Sequence, residues 1–260
     1  MTYRSLPLLL ALVGTGHDAI LAQARLPDVK ISGRTSCQIH PESGAATAEL
    51  WIDAKTALER TVAGDSSSPT FLVQQWRRTL GPDLGLRWER RDTSRVTTRQ
   101  PFSKQTPANL ERAGYIQKRW DVLTYYGPGA ELLLSERFLR QHCFRRETGA
   151  GSRIGLIGLA FEPLPAQRLP DVAGVLWIDP VLRLLRYVEY TWTNPPPEAR
   201  APALGGRVDY TRLADGGWII QRWNIRMPRA SDIPGTGYGG YTDQGGEVLA
   251  VGAHRRPARP

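Results

Sequence analysis

Cysteine and histidine are scarce in this sequence, which leaves few of the ligands that zinc prefers. Among 260 residues there are two cysteines, Cys37 and Cys143, and four histidines. The cysteines form no C-x-x-C motif, and no two histidines stand at the spacing of an H-E-x-x-H helix. The sequence therefore predicts neither a metal site nor a cofactor.

Motifs of nucleophilic catalysis are missing as well. No G-x-S-x-G stands at a strand-to-helix turn, and Ser135 is interpreted as the N-cap of a short helix, where its hydroxyl accepts a backbone N–H. The acidic residues in or beside predicted strands are interpreted as partners in cross-strand ion pairs. They are Glu162, Asp171, Asp179, Glu189 and Asp209. We therefore expect no catalytic residues and no enzymatic activity.

Long hydrophobic runs are absent beyond the N-terminal region, so no transmembrane segment is expected. At the start, Arg4 precedes the apolar run Leu6–Val13, and the stretch closes on the small-x-small triplet Ala22–Ala24. This order is typical of a secretory signal peptide. It predicts that residues 1–24 are removed and that the protein is periplasmic or extracellular. An apolar N-terminal helix of a cytoplasmic protein is the alternative, and two polar residues within the stretch keep it open.

Export would place both cysteines in an oxidising compartment. One disulfide, Cys37–Cys143, is then their simplest use. It would close a loop of about a hundred residues, which the chain-entropy model values at roughly 4–5 kcal/mol. The alternative is a pair of separate buried thiols, which behave as small apolar side chains.

Lysine is rare, and the positive charge is carried by arginine. The formal net charge is +9, and only four of the 34 basic residues are lysines. A basic exported protein can rest on anionic lipid or polysaccharide, and no nucleic-acid partner is expected. Tryptophan and arginine are neighbours at Trp76–Arg78 and again at Trp88–Arg91. In a pair of strands we interpret this pattern as tryptophan facing inward and arginine facing outward.

One helix is the clearest element of the sequence. Apolar residues recur at helical spacing within Gly44–Val62. They are Leu50, Ala54, Ala57, Leu58 and Val62. Residues 25–43 are predicted to be an extended N-terminal segment, residues 44–252 a single β-rich domain, and residues 253–260 a disordered basic tail.

Strands joined by turn residues dominate the rest of the sequence. Hairpins are predicted for Phe71–Leu80 with Leu84–Thr93, Val172–Asp179 with Leu184–Thr193, and Gly206–Leu213 with Trp218–Met227. Further strands are predicted at Val122–Tyr126, Ile154–Glu162 and Glu247–Val251, and short helices at Pro107–Ala113 and Ser135–His142. The fold class is α+β and β-dominant: a curved antiparallel meander of seven to nine strands, like half a barrel, covered by one main helix and short helices.

The glycine-rich stretch Gly235–Gly246 follows a predicted strand rather than opening a helix, so it does not predict a phosphate-binding loop. We interpret it as a mobile surface loop. In such a loop, Tyr238 and Tyr241 could contact a ligand.

Residues 139–228 also carry motifs that resemble a known family. FLRQHCF, GLIGLAFEP, PDVAGVLWIDPVLRLLRYVEYTW and GGRVDYTRLADGGWIIQRWNIRMP resemble the C-terminal region of exported bacterial proteins named for a carboxypeptidase regulatory-like domain. ELWIDAKTAL and GYIQKRWDVLTYYGPGAELLLSERFL extend this resemblance over most of residues 37–228. The resemblance implies a transthyretin-like β-sandwich before this region, and the roughly twenty residues between Arg25 and Gly44 are too few for one. We therefore expect that domain to be missing or truncated.

The hairpin motif GVLWIDPVLRLLRYVE, followed by the DGGW hairpin, is also similar to periplasmic lipoprotein-sorting proteins. That similarity implies an open half-barrel closed by helices, with an apolar cavity for acyl chains. The leading hypothesis is therefore a non-enzymatic exported module that holds a lipid or an acylated protein between meander and helix. Candidates for the cavity wall are Leu156, Leu159, Phe161, Leu176, Val188, Tyr190, Trp192 and Trp223. For each of them, ordinary core packing is the alternative.

A second hypothesis is a structural or interaction domain that docks onto an envelope protein partner through an exposed sheet edge. A truncated regulatory-like module without a ligand is a further alternative. An uncovered, regular edge strand together with a filled core would favour docking, and a cavity would favour ligand binding.

Overall fold

The computed structural model describes residues 41–63, 70–97, 105–120, 122–165, 167–230 and 238–252. The predicted signal peptide, Cys37 and the C-terminal tail lie outside the described residues. The described residues contain four α-helices: α1 (Pro41–Val62), α2 (Pro107–Ala113), α3 (Ala130–Leu133) and α4 (Glu136–Gln141). Short 3₁₀ turns lie at Gly151–Arg153 and Pro197–Ala199.

Eleven strands form the rest of the described structure. They are β1 (Phe71–Leu80), β2 (Leu86–Val96), β3 (Ile116–Arg119), β4 (Val122–Tyr125), β5 (His142–Thr148), β6 (Ile157–Pro163), β7 (Asp171–Asp179), β8 (Leu184–Thr193), β9 (Gly205–Arg212), β10 (Trp218–Ala230) and β11 (Tyr238–Val251). Nine of them make one antiparallel sheet in the order β2-β1-β11-β10-β9-β8-β7-β6-β5, and β3 pairs only with β4. Because β2 and β5 are edges, the sheet is not closed. The β-dominant α+β class is confirmed.

Helix α1 packs on one face of the sheet, across β5 to β8 and β10. Four of the five apolar residues that predicted it are buried, and Val62 is half-buried. The helix begins at Pro41 rather than at Gly44, so residues 41–43 are helical, not extended as expected. Proline is compatible with this because the first helical turn needs no backbone N–H from it.

The two faces of the sheet follow from the strand register. Leu176, Val188, Val208 and Trp223 stand opposite one another on successive strands and form part of the hydrophobic core. We call the face that carries them the inner face. Their neighbours along each strand point the other way, because side chains alternate. They define the outer face, on which Glu189 is paired with Arg207.

Aromatic rings on the outer face are shielded by arginines. Arg207 lies over Tyr187 at 3.5 Å from the ring centroid, and Arg78 lies over Trp76 at 5.0 Å. Trp76 is buried, but it points to the outer face while Arg77 points to the inner face, so the predicted orientation of tryptophan inward and arginine outward is wrong there. Trp88 on the edge strand β2 does lie on the inner face, yet it is 50% exposed. The reason is that β2 has only one neighbouring strand and lies at the edge of the sheet.

The predicted glycine-rich loop is wrong for residues 238–246, which belong to β11 and pair with β1 and β10. Tyr241 is 1% exposed, and the side chain of Tyr238 lies outside what is described. Glycine is needed here because large rings lie against the backbone. A Cβ on Gly245 would lie 2.4 Å from the ring of Trp76, and one on Gly246 would lie 2.4 Å from the ring of Trp223.

The junction between α4 and β5 and the start of β6 also differ from the sequence-based expectation. Helix α4 is capped by Ser135 as predicted, since its Oγ accepts from the Phe138 N–H at 3.2 Å. The helix stops before His142, however, and strand β5 begins there. Buried His142 fixes this junction: Nδ1 faces the Phe138 carbonyl oxygen at 3.0 Å and Nε2 faces that of Val172 at 3.1 Å. Strand β6 begins at Ile157, later than predicted.

Candidate ligand cleft

A cleft of about 660 Å³ lies between the inner face of the sheet and the β3–β4 hairpin. Its floor is made by β8, β9, β10, β11, β1 and β2, and its roof by residues 123–128. The cleft therefore occupies the part of the inner face that the hairpin covers. Helix α1 packs mainly on β5 to β8 and β10, so β8 and β10 are shared by the two covers.

The roof is attached to the sheet mainly through β8. The indole N–H of Trp192 donates to the Tyr126 carbonyl at 2.9 Å, and the ring of Tyr125 meets that of Trp192 edge-on at 5.2 Å. A Cβ on Gly127 would lie 2.3 Å from the hydroxyl oxygen of Tyr190. Only glycine therefore lets the backbone come this close to the tyrosine. These contacts fix one end of the roof and leave the space above β10, β11 and β1 open.

The β8–β10 end of the cleft is apolar and aromatic. Its walls include Tyr190, Val208, Trp223, Ile225 and Met227. Desolvation by burial raises the pKa of Tyr190 above its ordinary value of 10.0. This phenol is therefore neutral at physiological pH, and the lining of this end carries no acidic or basic side chain among the described residues.

Tyr125 on the roof is also kept neutral. Its pKa is raised to about 12, chiefly by desolvation and secondly by the negative charge of Glu198. The roof therefore adds an aromatic surface without adding charge at physiological pH.

The opposite end, on β1 and β2, is polar and cationic. Arg77 and Arg90 face each other across the two strands, and both line the cleft. With the Gln244 amide oxygen turned toward Arg77, that oxygen accepts from Nε at 3.0 Å and from Nη2 at 2.9 Å. Arg90 is paired at 3.0 Å with Asp92, which also lines this end, so the excess positive charge here is that of Arg77. The two ends of one cleft thus differ sharply in polarity.

Two of the eight predicted wall residues, Tyr190 and Trp223, line the cleft. Leu156 lies in the turn before β6, and Trp192 supports the roof from within the core. The other four are buried in the core: Leu159, Phe161, Leu176 and Val188.

Sequence reasoning missed much of the cleft lining. Tyr125, Met227, Gln75, Arg77 and Gln244 were not predicted to line a site. The alternation of Gln75 and Arg77 around Trp76 was a usable signal, because it places those two side chains on one face. That this face lies beside β11 and β10 depends on long-range pairing, which the local pattern does not report.

A second groove, of about 500 Å³, lies on the outer face. It is lined by arginines that already have carboxylate partners. Arg153 bonds Glu189 at 2.7 Å, and Arg207 bonds Asp209 in its own strand. Arg207 also lies 3.6 Å from Glu189 across the strands. The predicted cross-strand ion pair is therefore confirmed for Glu189. The charges of the groove are largely compensated within the protein.

Asp171 and Asp179, two of the other predicted acidic residues, have different roles. Asp171 lies 3.4 Å from His142 Nε2. Asp179 is a turn residue whose Oδ1 accepts the N–H groups of Val181 and Leu182, both at 3.0 Å. Cross-strand pairing with arginine is thus wrong for Asp179, because its carboxylate is used by the turn.

Within the described ranges, no three His, Cys, Asp or Glu side chains group as a metal site. None of the helices described there is both long enough and apolar enough to cross a bilayer. Comparison of the chain with protein-family models, with curated proteins and with solved structures gives no match. The two family resemblances therefore stay predictions from the sequence.

Proposed function

We propose that this protein is a non-enzymatic binding module that holds a lipid or another acyl-type ligand in the cleft beneath the β3–β4 hairpin. The observation that carries this proposal is the cleft itself. Its volume of about 660 Å³ lies within the range of roughly 300–1,000 Å³ found for small-molecule sites. The space opens on aromatic and aliphatic side chains that a ligand tail could cover.

The chemistry of the cleft favours an apolar body over a polar one. Burying apolar surface stabilises a complex by about 25 cal/mol per Å², and Trp223, Ile225 and Met227 supply such surface. A strongly polar group at this end would lose its water and find few partners, which is costly. An acyl chain avoids that cost.

Native mass spectrometry of the protein after periplasmic expression tests the proposal. We expect a co-purifying mass of lipid size that disappears after gentle organic extraction. Ile225→Trp should reduce the bound fraction, because the larger ring occupies the cleft. Leu249→Trp is the matched control, since Leu249 is an exposed β11 residue outside the cleft lining. Thermal unfolding of both variants checks that each is folded.

A clean apo mass, together with no binding of added fatty acid, would contradict ligand binding. It would instead support a module without a ligand. Equal ligand loss in Ile225→Trp and Leu249→Trp would contradict the assignment of the ligand to this cleft.

Export and a Cys37–Cys143 disulfide belong to the same proposal. The N-terminal sequence pattern supports export. Cys143 lies in β5 next to His142, whose ring contacts the Phe138 carbonyl and holds the start of the strand in place. The intact mass of the purified protein should lack residues 1–24, and reduction should add the mass of two hydrogen atoms. A full-length mass, or a mass unchanged by reduction, would contradict the corresponding part.

Docking through the edge strand β2 is a second candidate. Leu86 and Trp88 are exposed on this strand, and β1 is its only neighbour in the sheet. Against this, six of its eleven residues are charged, and charge is one of the ways in which proteins protect a sheet edge from pairing. Docking predicts that Trp88→Glu abolishes crosslinking to an envelope protein in cells. Ligand binding predicts that the same change leaves the lipid-sized mass in place.

A further inference from the structure

We propose that the cleft selects an amphiphile with an anionic head, which lies against Arg77 while its tail covers Trp223. This inference rests on the proposed function and adds the polarity and orientation of the ligand. It draws on three observations: the order of residues across the inner face, the partners of Arg77, and the neutrality of the opposite end.

The strand register orders the cleft from apolar to cationic. One row of the inner face runs Tyr190, Gly206, Ile225, Gln244, Arg77 and Arg90, from β8 to β2. These six strands span five intervals of about 4.8 Å, or roughly 24 Å. The row is long enough for an extended chain to lie across the sheet with its two ends in different surroundings.

Arg77 is the cation that is available to a ligand. The Gln244 amide holds its guanidinium through two N–H groups but carries no opposite charge. Within the described part of the chain, no carboxylate forms an ion pair with Arg77. Arg90, by contrast, is paired with Asp92. A guanidinium has five N–H donors in a planar fork, so donors remain for a carboxylate or a phosphate after Gln244 has accepted two.

The opposite end would repel such a head group. Tyr190 and Trp223 surround it with uncharged, largely buried surface. Moving an anion there costs its hydration with no cation to compensate. Only one orientation of an anionic amphiphile therefore satisfies both ends of the cleft.

Isothermal titration calorimetry of the delipidated protein at low salt tests the inference. The probes are dodecanoate, dodecanoyl lysophosphatidic acid and dodecanol, which share a tail and differ in the head. We expect both anionic probes to bind about tenfold more tightly than dodecanol, because an anionic head gains charge-assisted hydrogen bonds. A stronger response to the phosphate would assign a phospholipid head, and a stronger response to the carboxylate a free fatty acid.

Variants then assign the preference to one residue. Arg77→Gln should remove most of the tenfold difference, because it weakens the binding of both anionic probes much more than that of dodecanol. Arg91→Gln is the control, because it removes the same charge from β2 on the opposite face, where Arg91 stands across from Trp76. The control should keep the preference.

The outcomes separate the two proposals. Equal affinity for all three probes would overturn the anionic head and leave the binding module standing. Equal losses in Arg77→Gln and Arg91→Gln would also overturn it, since they would indicate a response to net charge alone. Failure of every probe to bind would overturn the proposed function itself.

Discussion

The inner face of the sheet is covered in two different ways. Over β5 to β8, α1 presents Ala54 and Ala57, both fully buried, and the space against Leu176 and Val188 is filled. Over β10, β11 and β1, the cover is the β3–β4 hairpin, whose strands are four residues each. The first region is packed core and the second contains the cleft.

This difference shows that the length and side chains of the covering element decide whether a sheet face becomes packed core or a ligand cleft. A 22-residue helix with alanines at its contact lets two backbones come close and leaves little space between layers. A short hairpin attached through Trp192 cannot fill the same width. Ligand binding and stability should therefore be separable in this protein by mutation.

The largest expected effect is on stability in the helix-covered region. Leu176→Ala removes a fully buried side chain and should lower the free energy of unfolding by about 2–5 kcal/mol. Met227→Ala in the half-buried cleft should cost about 1 kcal/mol, because less surface is lost. Urea unfolding of both variants measures the difference. Equal costs would contradict the distinction between the two regions.

Much of the helix-covered region was predictable from local pattern. The 3.6-residue period gave the buried side of α1, and turn residues gave both hairpins of β7 to β10. Strand β5 was not predicted, because its start is set by the contacts of His142. These contacts reach Phe138, four residues earlier, and Val172, thirty residues later. Tertiary contacts, rather than local propensity, therefore determine where this strand begins.

Adjacent glycines on β11 allow the two faces to be compared directly. Gly245→Ala places a methyl group against the buried ring of Trp76 and against the Trp223 carbonyl. We expect it to cost roughly 1–3 kcal/mol as overpacking. In Gly246→Ala the three atoms nearest to the new methyl group all belong to the ring of Trp223. We expect this ring to shift toward the cleft, so the cost should be smaller.

The same pair of variants also tests the site. Gly246→Ala should weaken ligand binding, because the displaced indole occupies part of the cleft, whereas Gly245→Ala should leave binding intact in the folded fraction. Calorimetric titration with dodecanoate and thermal unfolding measure the two properties. A Gly245→Ala protein as stable as the wild type would contradict the close packing inferred for the outer face.

These glycines also explain why the cleft was harder to predict than the fold. Glycine-rich sequence normally indicates a loop, and nothing local reveals that Trp76 and Trp223 lie on either side of this strand. The insertion of β11 between β1 and β10 brings Gln244 to Arg77. These residues are more than 160 positions apart, so their contact depends on pairing that the sequence pattern does not encode locally.

The smallest effect we expect is a pH dependence confined to the β1–β2 hairpin, beyond the main contacts of α1. Hydrogen bonds from Arg91 and then from Arg78 hold the pKa of Glu89 below its ordinary value of 4.5. A carboxylate whose pKa is lower in the folded state stabilises that state above the unfolded pKa. That contribution is lost as the pH falls through the folded pKa. The hydrogen-exchange protection factors of residues 86–96 should therefore fall below pH 4.5, while those of β7 stay high.

Glu89→Gln should remove the loss of hydrogen-exchange protection at low pH. The hairpin should then be less protected than in the wild type at every pH above 4.5. Glu59→Gln, on the exposed side of α1, is the matched control, and residues 86–96 of this variant should still lose protection at low pH. The effect is small because ion pairs near the surface contribute little in water. If β7 and β2 lost protection together in acid, the hairpin would not be a separately stabilised region. The distinction between a core held by apolar packing and an edge held partly by charge would then be wrong.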